Sequence, residues 1–390
     1  MHLLEAYSLN CGAAINKPYI YELFCPIPYE KYITFHTDTK FPSKNYDLWQ
    51  SVIDTIRPVL ERHEIKIIQT GTPESRLINN VVDYRGKINV NQLAFLIKGS
   101  MLHFGSDDFQ IHLASHYNKL IVGLFNITRP ENTGPYFGDK NKQILFKCYE
   151  RLGLKPSYSP EENPKTINSI NPEEIAEAIL KLLSLESKIA YKTSFIGERY
   201  GKTQIHDLIP NQIVGAAKES LLDMRMDQEF NENALAQQLQ NNRCRVFTDK
   251  RINIDLLKNF KQNVDTLFYF VSENDDPVFV KQVSELGIRM TILSKMSESA
   301  IAAKKIHYYE YGNINTAPAP KKELIEKLKS TKNLYYKSCQ SVYSNNKIYS
   351  SFAAKKLDKP RTGEFEPVID SQDFWEDVDN FFFVEMIDKE

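Results

Sequence analysis

The sequence predicts an α/β protein built from two successive parallel-sheet domains, and three observations carry that prediction. Short apolar runs alternate with helix-length amphipathic stretches from residue 31 to about residue 189. The alternation begins again near residue 190 and continues to about residue 315. At 390 residues, 42% hydrophobic and 25% charged, the chain is long enough to bury two cores. Alternating strands and helices pair the strands in parallel and lay helices on both faces of the sheet.

"YITFH" (32–36) opens the first domain as a strand. It precedes a helix in "YDLWQSVIDTIRPVL" (46–60), where Leu48, Val52, Ile53 and Ile56 share one face. "IKIIQTG" (65–71), "NQLAFLIKGS" (91–100), "MLHFG" (101–105) and "KLIVGLF" (119–125) continue the alternation. Asn171-Pro172-Glu173-Glu174 then supplies an N-cap, a proline at the first helical position and an acid at the capping-box position. Ile175, Ile179 and Leu182 make the apolar face of the helix that follows, which closes the domain.

In the second region strands are expected at 193–201, 221–227, 243–249, 264–271 and 288–293, with helices at 231–242 and 277–287 between them. No internal repeat relates the two regions. Past Pro320 the composition changes. Residues 321–361 carry eleven Lys/Arg against three acids and are interleaved with Tyr335, Tyr336, Tyr343, Tyr349 and Phe352; residues 363–390 carry ten acids and one lysine. This separates 316–390 as a basic-aromatic segment with an acidic tail.

No stretch approaches the ~18 consecutive apolar residues of a membrane helix, and the N-terminus lacks the basic-then-apolar pattern of a signal peptide, so a cytoplasmic location is expected. The five cysteines show no paired short spacing, which argues against zinc and disulfides and for reduced, mostly buried thiols. The net charge of −1 identifies no partner.

The stretch "GSDDFQIHLASHYNKLIVGLF" (105–125) puts two aspartates and a histidine between a strand and a helix. Ligands of open parallel sheets bind beyond the strands' carboxyl ends. A helix N-terminus there favours phosphate, and carboxylates beside it suit sugar or ribose hydroxyls, a combination that fits a nucleotide sugar. The alternative is that Asp107 or Asp108 is an N-cap and His112 packs within the helix.

The segment "DDFQIHLASHYNKLIVGLFNITRPENTGPYFG" resembles the nucleotide-sugar-binding domain of glycosyltransferase family 9, the heptosyltransferase-like group. Asp107, His112, Leu113, Ala114, Leu124, Phe125, Thr133, Gly134, Pro135 and Tyr136 carry the likeness. "ITFHTDTKFPSKNYDLW", which contains Thr37, is similar to that family's strand and loop, with Lys44 in the place of the basic residue that meets the diphosphate. "IIQTGTPES" is similar to its next strand and turn, with Gly71 and Glu74 matching. Asp108-Phe109 replaces Ser-Gly and Gln110 replaces a proline, departures that bear on the sugar and its orientation.

The resemblance covers about residues 1–150 and implies a GT-B fold, two Rossmann-like domains facing across a cleft. Residues 1–30 resemble the interdomain segment of that family, so the nucleotide domain (31–189) precedes the acceptor-side domain (190–315) in a permuted order. An inverting, metal-independent transfer from a nucleoside-diphosphate sugar to an acceptor hydroxyl is implied, with Thr37, Lys44, Gly71, Glu74, Asp107, Asp108 and His112 as the donor-binding set. Glu198, Asp227 and Glu229 are the candidates for the base that takes the acceptor proton. Each has a plainer alternative: Glu198 pairs with Arg199 or Arg225, and Asp227 or Glu229 caps the helix near Asn231.

Two acceptors are carried. Lysines interleaved with tyrosines suit a phosphate backbone and stacked bases, which points Lys355 and Lys356 at DNA; the alternative is a solvated helix with ordinary Glu–Lys pairs, neutralised by the acidic tail. The Asn/Lys/Ile/Tyr-rich usage resembles AT-rich genomes, including phages that glycosylate hydroxymethylated bases of their own DNA, and the acceptor reading leans that way. A glycan or lipid-linked saccharide is the other acceptor. A catalytically silent nucleotide-binding module and a nucleotide-sugar epimerase of the same shape complete the alternatives.

Overall fold

The computed structural model describes residues 1–390 except 187, 203, 211–219, 274, 276, 295, 313, 317–320 and 388–390. The chain divides into two compact units, Met1–Tyr191 and Lys192–Glu390.

The first unit is a parallel six-stranded sheet of β1 (Tyr32–His36), β2 (Lys66–Thr70), β3 (Val82–Asp83), β4 (Leu102–Ser106), β5 (Leu120–Phe125) and β6 (Gln143–Lys147). Its order is β3-β2-β1-β4-β5-β6. The chain therefore starts in the middle, winds to one edge, and returns to β4 to wind toward the other. Right-handed crossovers on either side of such a reversal put helices on opposite faces. On one face lie α2 (Trp49–Arg62) and α6 (Pro172–Leu182), which pack on each other. On the other, α3 (Val90–Gly99) and α4 (Phe109–His116) share a core with Ile68 and Ile121. A short helix, α1 (Leu3–Cys11), precedes β1, and α5 (Pro130–Thr133) follows β5.

The local signals behind these elements are plain. In α2 the expected face, Val52, Ile53 and Ile56, is buried and extended by Trp49, Val59 and Leu60. The capping box of α6 forms as expected, with the Asn171 N–H donating to Glu174 Oε1 at 3.2 Å and Pro172 at the first turn.

In the second unit, β8 (Gln204–Leu208), β9 (Ser220–Arg225), β10 (Cys244–Thr248), β11 (Val264–Phe270), β12 (Met290–Ser294) and β13 (Ile314–Thr316) run parallel in consecutive order. Their crossovers contain α7 (Glu232–Asn241), α8 (Ile254–Phe260), α9 (Val278–Glu285) and α10 (Glu298–Tyr308). A strand order that never reverses sends every right-handed crossover to one side. Accordingly Leu235, Leu257, Val280 and Ile301 of those helices share one core with Val246, Leu267, Tyr269 and Ile292 of the sheet. The opposite face receives none of α7 to α10. It presents Asp207, Asp223, Arg225, Arg245, Phe247 and Phe268 instead.

Residues 316–390 are woven into this unit. β15 (Gln340–Ser344) adds in parallel to β8, and β16 (Lys347–Tyr349) returns antiparallel beside it. A second sheet, in the order β17-β14-β18-β7, is formed by β7 (Tyr191–Ile196), β14 (Leu334–Ser338), β17 (Glu366–Pro367) and β18 (Phe381–Met386). Against it pack α11 (Lys322–Ser330), α12 (Phe352–Lys356) and α13 (Gln372–Glu376), through Leu328, Ala353, Phe374 and Trp375. Tail aromatics thus form a core while tail acids meet the basic segment. Lys329–Asp370, Lys337–Glu364 and Lys356–Asp373 are paired at 2.6–3.0 Å, and Lys347 pairs with Asp358 within the basic segment at 2.8 Å.

All five cysteines are free, and four of them are buried. No helix among the described residues is long and apolar enough to cross a membrane.

Candidate functional site

The reversal of strand order in the first unit falls between β1 and β4, and the loops leaving those strands splay apart at their carboxyl ends. After β1 the chain makes a 3-10 turn, Pro42–Lys44. Ser43 anchors it: its N–H donates to Pro160 O at 3.1 Å, its hydroxyl to Ser159 O at 3.0 Å, and its carbonyl accepts from Asn126 Nδ2 at 2.8 Å. Lys44 is thereby aimed at the end of β4, where its Nζ donates to Asp107 Oδ2 at 2.6 Å and to Asp107 O at 3.0 Å.

Asp107 also accepts from the Thr128 hydroxyl at 2.9 Å, and His112 Nε2 lies 3.8 Å from its other oxygen. Burial by itself raises the carboxyl's pKa; His112, Lys44 and Thr128 together outweigh it and hold the pKa below its ordinary value. Asp107 is therefore a carboxylate at neutral pH. The same four residues, with His2, Asn91, His116 and Thr133, supply polar groups to the wall of a cavity of about 770 Å³ that is otherwise mostly apolar, including Ile20, Phe109 and Leu113.

Beneath this corner lie two fully buried histidines, stacked with ring centroids 5.3 Å apart. Burial, the largest cause for each, lowers both pKa values, so both rings are neutral. The Ser106 carbonyl only accepts, which assigns the protons along the chain. His36 Nε2–H donates to Ser106 O at 3.1 Å, His103 Nε2–H donates to His36 Nδ1 at 3.1 Å, and the Thr34 hydroxyl donates to His103 Nδ1 at 2.9 Å. This connected set fixes the main chain immediately before Asp107. Both histidines fill the interior of the sheet and also serve as this tether.

Of the seven expected donor-binding residues, Lys44, Asp107 and His112 line the cavity. Asp108 occupies the N-cap of α4 but makes no side-chain capping bond. Thr37 is buried, and its hydroxyl lies 3.2 Å from Asp38 Oδ2 and 3.3 Å from Arg76 O. Gly71, with φ +142°, and exposed Glu74 lie in the turn after β2, at the same edge of the sheet but outside the cavity lining. Gln110, which departs from the family pattern, is buried with its Oε1 2.7 Å from the Thr70 hydroxyl, tying the first turn of α4 to β2.

Sequence reasoning missed Thr128 and the contribution of His2, Leu3, Leu4 and Pro18 to the wall. No periodic signal marks them, because they reach the site through loops and the segment before β1.

The candidates in the second unit are engaged in other contacts. Glu198 is exposed and pairs with Lys321 at 2.6 Å rather than with an arginine. Asp227 takes two bonds from Arg225, at 2.9 and 2.8 Å. Asn231, not Asp227 or Glu229, caps α7 by accepting from the Ala234 N–H at 3.1 Å. Glu229 is exposed and its N–H lies 3.4 Å from Arg225 O. Lys355 and Lys356 lie on α12, and Lys356 is held by Asp373.

Arg225 also binds buried Asp207 at 2.9 Å and stacks 4.3 Å from the Phe352 ring. Near this group the Asp377 carboxyl is pushed up to about 7, by burial first and by Asp207 second, against Arg225 and Arg199. Between its ordinary value of 3.8 and about 7 the folded state holds a proton that the unfolded state has lost, so rising pH weakens the unit. Asp377→Asn is expected to stabilise the second unit increasingly from about pH 4 to about pH 7, and by a constant amount above. Urea midpoints followed by Trp375 fluorescence in a Trp49→Phe background at about pH 4.5 and about pH 8 check this; an equal effect at both contradicts it.

No family model matches the chain, and no curated protein matches it. Among solved structures it is similar to a glycosyl transferase family 9 protein from Veillonella parvula, with 20% identity over 40% of this chain and 46% of that one, and a TM-score of 0.32. It is also similar to the E. coli ADP-heptose lps heptosyltransferase II, with 15% identity over 46% and 51% of the two chains and a TM-score of 0.33. The E. coli heptosyltransferase WaaC with ADP gives 14% identity over 40% and 46%, with a TM-score of 0.31. The chain spans about half the length of these structures.

Among the described residues, no group of three or more His, Cys, Asp or Glu side chains is placed to hold a metal ion.

Proposed function

We propose that the protein is a glycosyltransferase of GT-B type whose first unit binds a nucleoside-diphosphate sugar. The observation that carries this is the Lys44–Asp107 pair at 2.6 Å, set at the strand-order reversal on the wall of a cavity large enough for a nucleotide. A buried ammonium beside the N-terminus of α4 answers the charge of a diphosphate. The carboxylate accepts from hydroxyls, and the apolar wall suits a base. Transfer of the sugar to an acceptor hydroxyl with inversion, and without a metal, follows from the family resemblance. Glu198, Asp227 and Glu229 remain the candidates for the base that takes the acceptor's proton, and the series Glu198→Gln, Asp227→Asn and Glu229→Gln ranks them.

For the acceptor, the DNA reading rested on lysines of residues 321–361. Lys321, Lys329, Lys337, Lys347 and Lys356 are each paired with an acid of their own unit, which leaves less charge for a phosphate backbone. Hydroxymethylcytosine DNA and lipid-linked saccharides are therefore parallel arms of one experiment.

That experiment measures release of nucleoside diphosphate from ADP-, UDP- and GDP-sugars, with and without each acceptor, in buffer with and without EDTA. ADP-sugars come first because WaaC was solved with ADP. Wild-type release is expected, and Lys44→Ala is expected to weaken donor binding by about 10-fold or more through loss of a charge-assisted contact. Binding without release under every condition favours the silent module, and unchanged donor binding in Lys44→Ala removes the site from where it is placed here.

A further inference from the structure

We propose that Asp107 is a specificity-determining residue that competes with ligand phosphate for Lys44, and so favours a phosphate ligand carrying hydroxyls over a bare nucleoside diphosphate. The inference rests on the reading of the first unit as a nucleotide-sugar site and adds a direction of discrimination to it.

In the free protein Lys44 is satisfied internally. Its ammonium contacts Asp107 twice, through a carboxylate oxygen at 2.6 Å and the main-chain carbonyl at 3.0 Å. The two side chains are only 12% and 7% exposed, so water replaces neither partner well when the pair opens. A bare nucleoside diphosphate offers Lys44 a second anion and leaves the carboxylate without its cation and next to like charge. That combination is disfavoured in a buried site.

A ligand with hydroxyls near its phosphate changes the balance. An O–H donates to the released carboxylate and replaces the contact that Lys44 supplied. Thr128, donating at 2.9 Å, and His112, at 3.8 Å, hold the carboxylate in place while Lys44 turns to the phosphate. The tether from Thr34 through His103 and His36 to Ser106 O keeps the main chain from following. Once the sugar has left, the carboxylate loses its donor and reclaims Lys44, which helps expel the diphosphate. One residue thus favours the donor over the product it becomes.

The test uses the full chain and calorimetric titration with matched pairs: ADP and ADP-glucose, UDP and UDP-glucose, GDP and GDP-mannose. Wild type is expected to prefer the sugar-bearing member of the pair it binds. Asp107→Asn is expected to bind the bare diphosphate about 10-fold tighter and to lose most of that preference. In a Lys44→Met background the same substitution is expected to tighten diphosphate binding clearly less, because only relief of like charge remains and no ammonium is left to compete for. Asp107→Ser repeats the test should Asp107→Asn fail to fold, as judged by its melting curve. Weaker diphosphate binding in Asp107→Asn, an unchanged preference, or the same effect without Lys44 overturns the inference while leaving the site reading intact. Failure of every pair to bind wild type overturns the site reading and the inference with it.

Discussion

Replacing Phe381 with alanine is expected to cost the second unit about 3–5 kcal/mol, a large part of the stability of a unit this size. Phe381 is fully buried on β18, with its ring 4.7 Å from Phe374 and 4.9 Å from Tyr336. Around it lie Phe383, Trp375, Val378 and Leu328, a cluster too interlocked to collapse into the space left by a lost ring. The two tryptophans of the chain fall one to each unit, Trp49 in the first and Trp375 in the second. In a Trp49→Phe background, urea unfolding followed by fluorescence reports the second unit alone. The midpoint is expected to fall by about 2 M, and a change under about 0.5 M contradicts the packing described here.

Gly105→Ala is the corresponding test of the first unit, with an expected loss of about 3 kcal/mol, near the top of the range for overpacking. A Cβ on Gly105 falls 2.2 Å from His36 Cε1 and 2.4 Å from His36 Nδ1. That ring is fully buried and stacked on His103, so it moves only by breaking its bond to Ser106 O. Asp107 follows Ser106 directly, and the damage is therefore expected to reach the proposed nucleotide site as well as stability. Gly123→Ala on the neighbouring strand is the control: its Cβ meets a methyl of Leu145 at 3.0 Å and the Phe125 ring at 3.2 Å, contacts that shifts of a few tenths of an ångström relieve, and a smaller loss is expected. Fluorescence of Trp49 in a Trp375→Phe background reports the unfolding, and equal losses at the two glycines contradict the role given to His36.

Different parts of this protein were legible in the sequence for different reasons. The capping box at Asn171–Glu174 could be read directly, because every atom it needs lies within four residues. The strands at 32–36 and 119–125 were equally plain, being short apolar runs between turns. The strand Gln204–Leu208 was not, since His206 and Asp207 interrupt its apolar character; Asp207 is buried there because Arg225 and Gln340 reach it from other strands. The tail misled for a similar reason. Its charges suggested a separate segment, whereas Tyr336, Phe374, Phe381 and Phe383 build a core and the charges pair above it.

By itself the sequence determined the α/β class and most strands of the first sheet, since local periodicity and caps need no knowledge of distant contacts; Asp107 and His112 stood out at a strand-to-helix seam, and Lys44 was singled out by the family resemblance alone. The tertiary structure decided what those residues do together. Lys44 and Asp107 stand 63 positions apart, and they meet because the strand order reverses between β1 and β4, turning two separate loops into one site. It also decided that the second sheet carries α7 to α10 on one face alone. Which face a crossover takes depends on the order of strands, and that order is set by long-range pairing that no window of sequence contains.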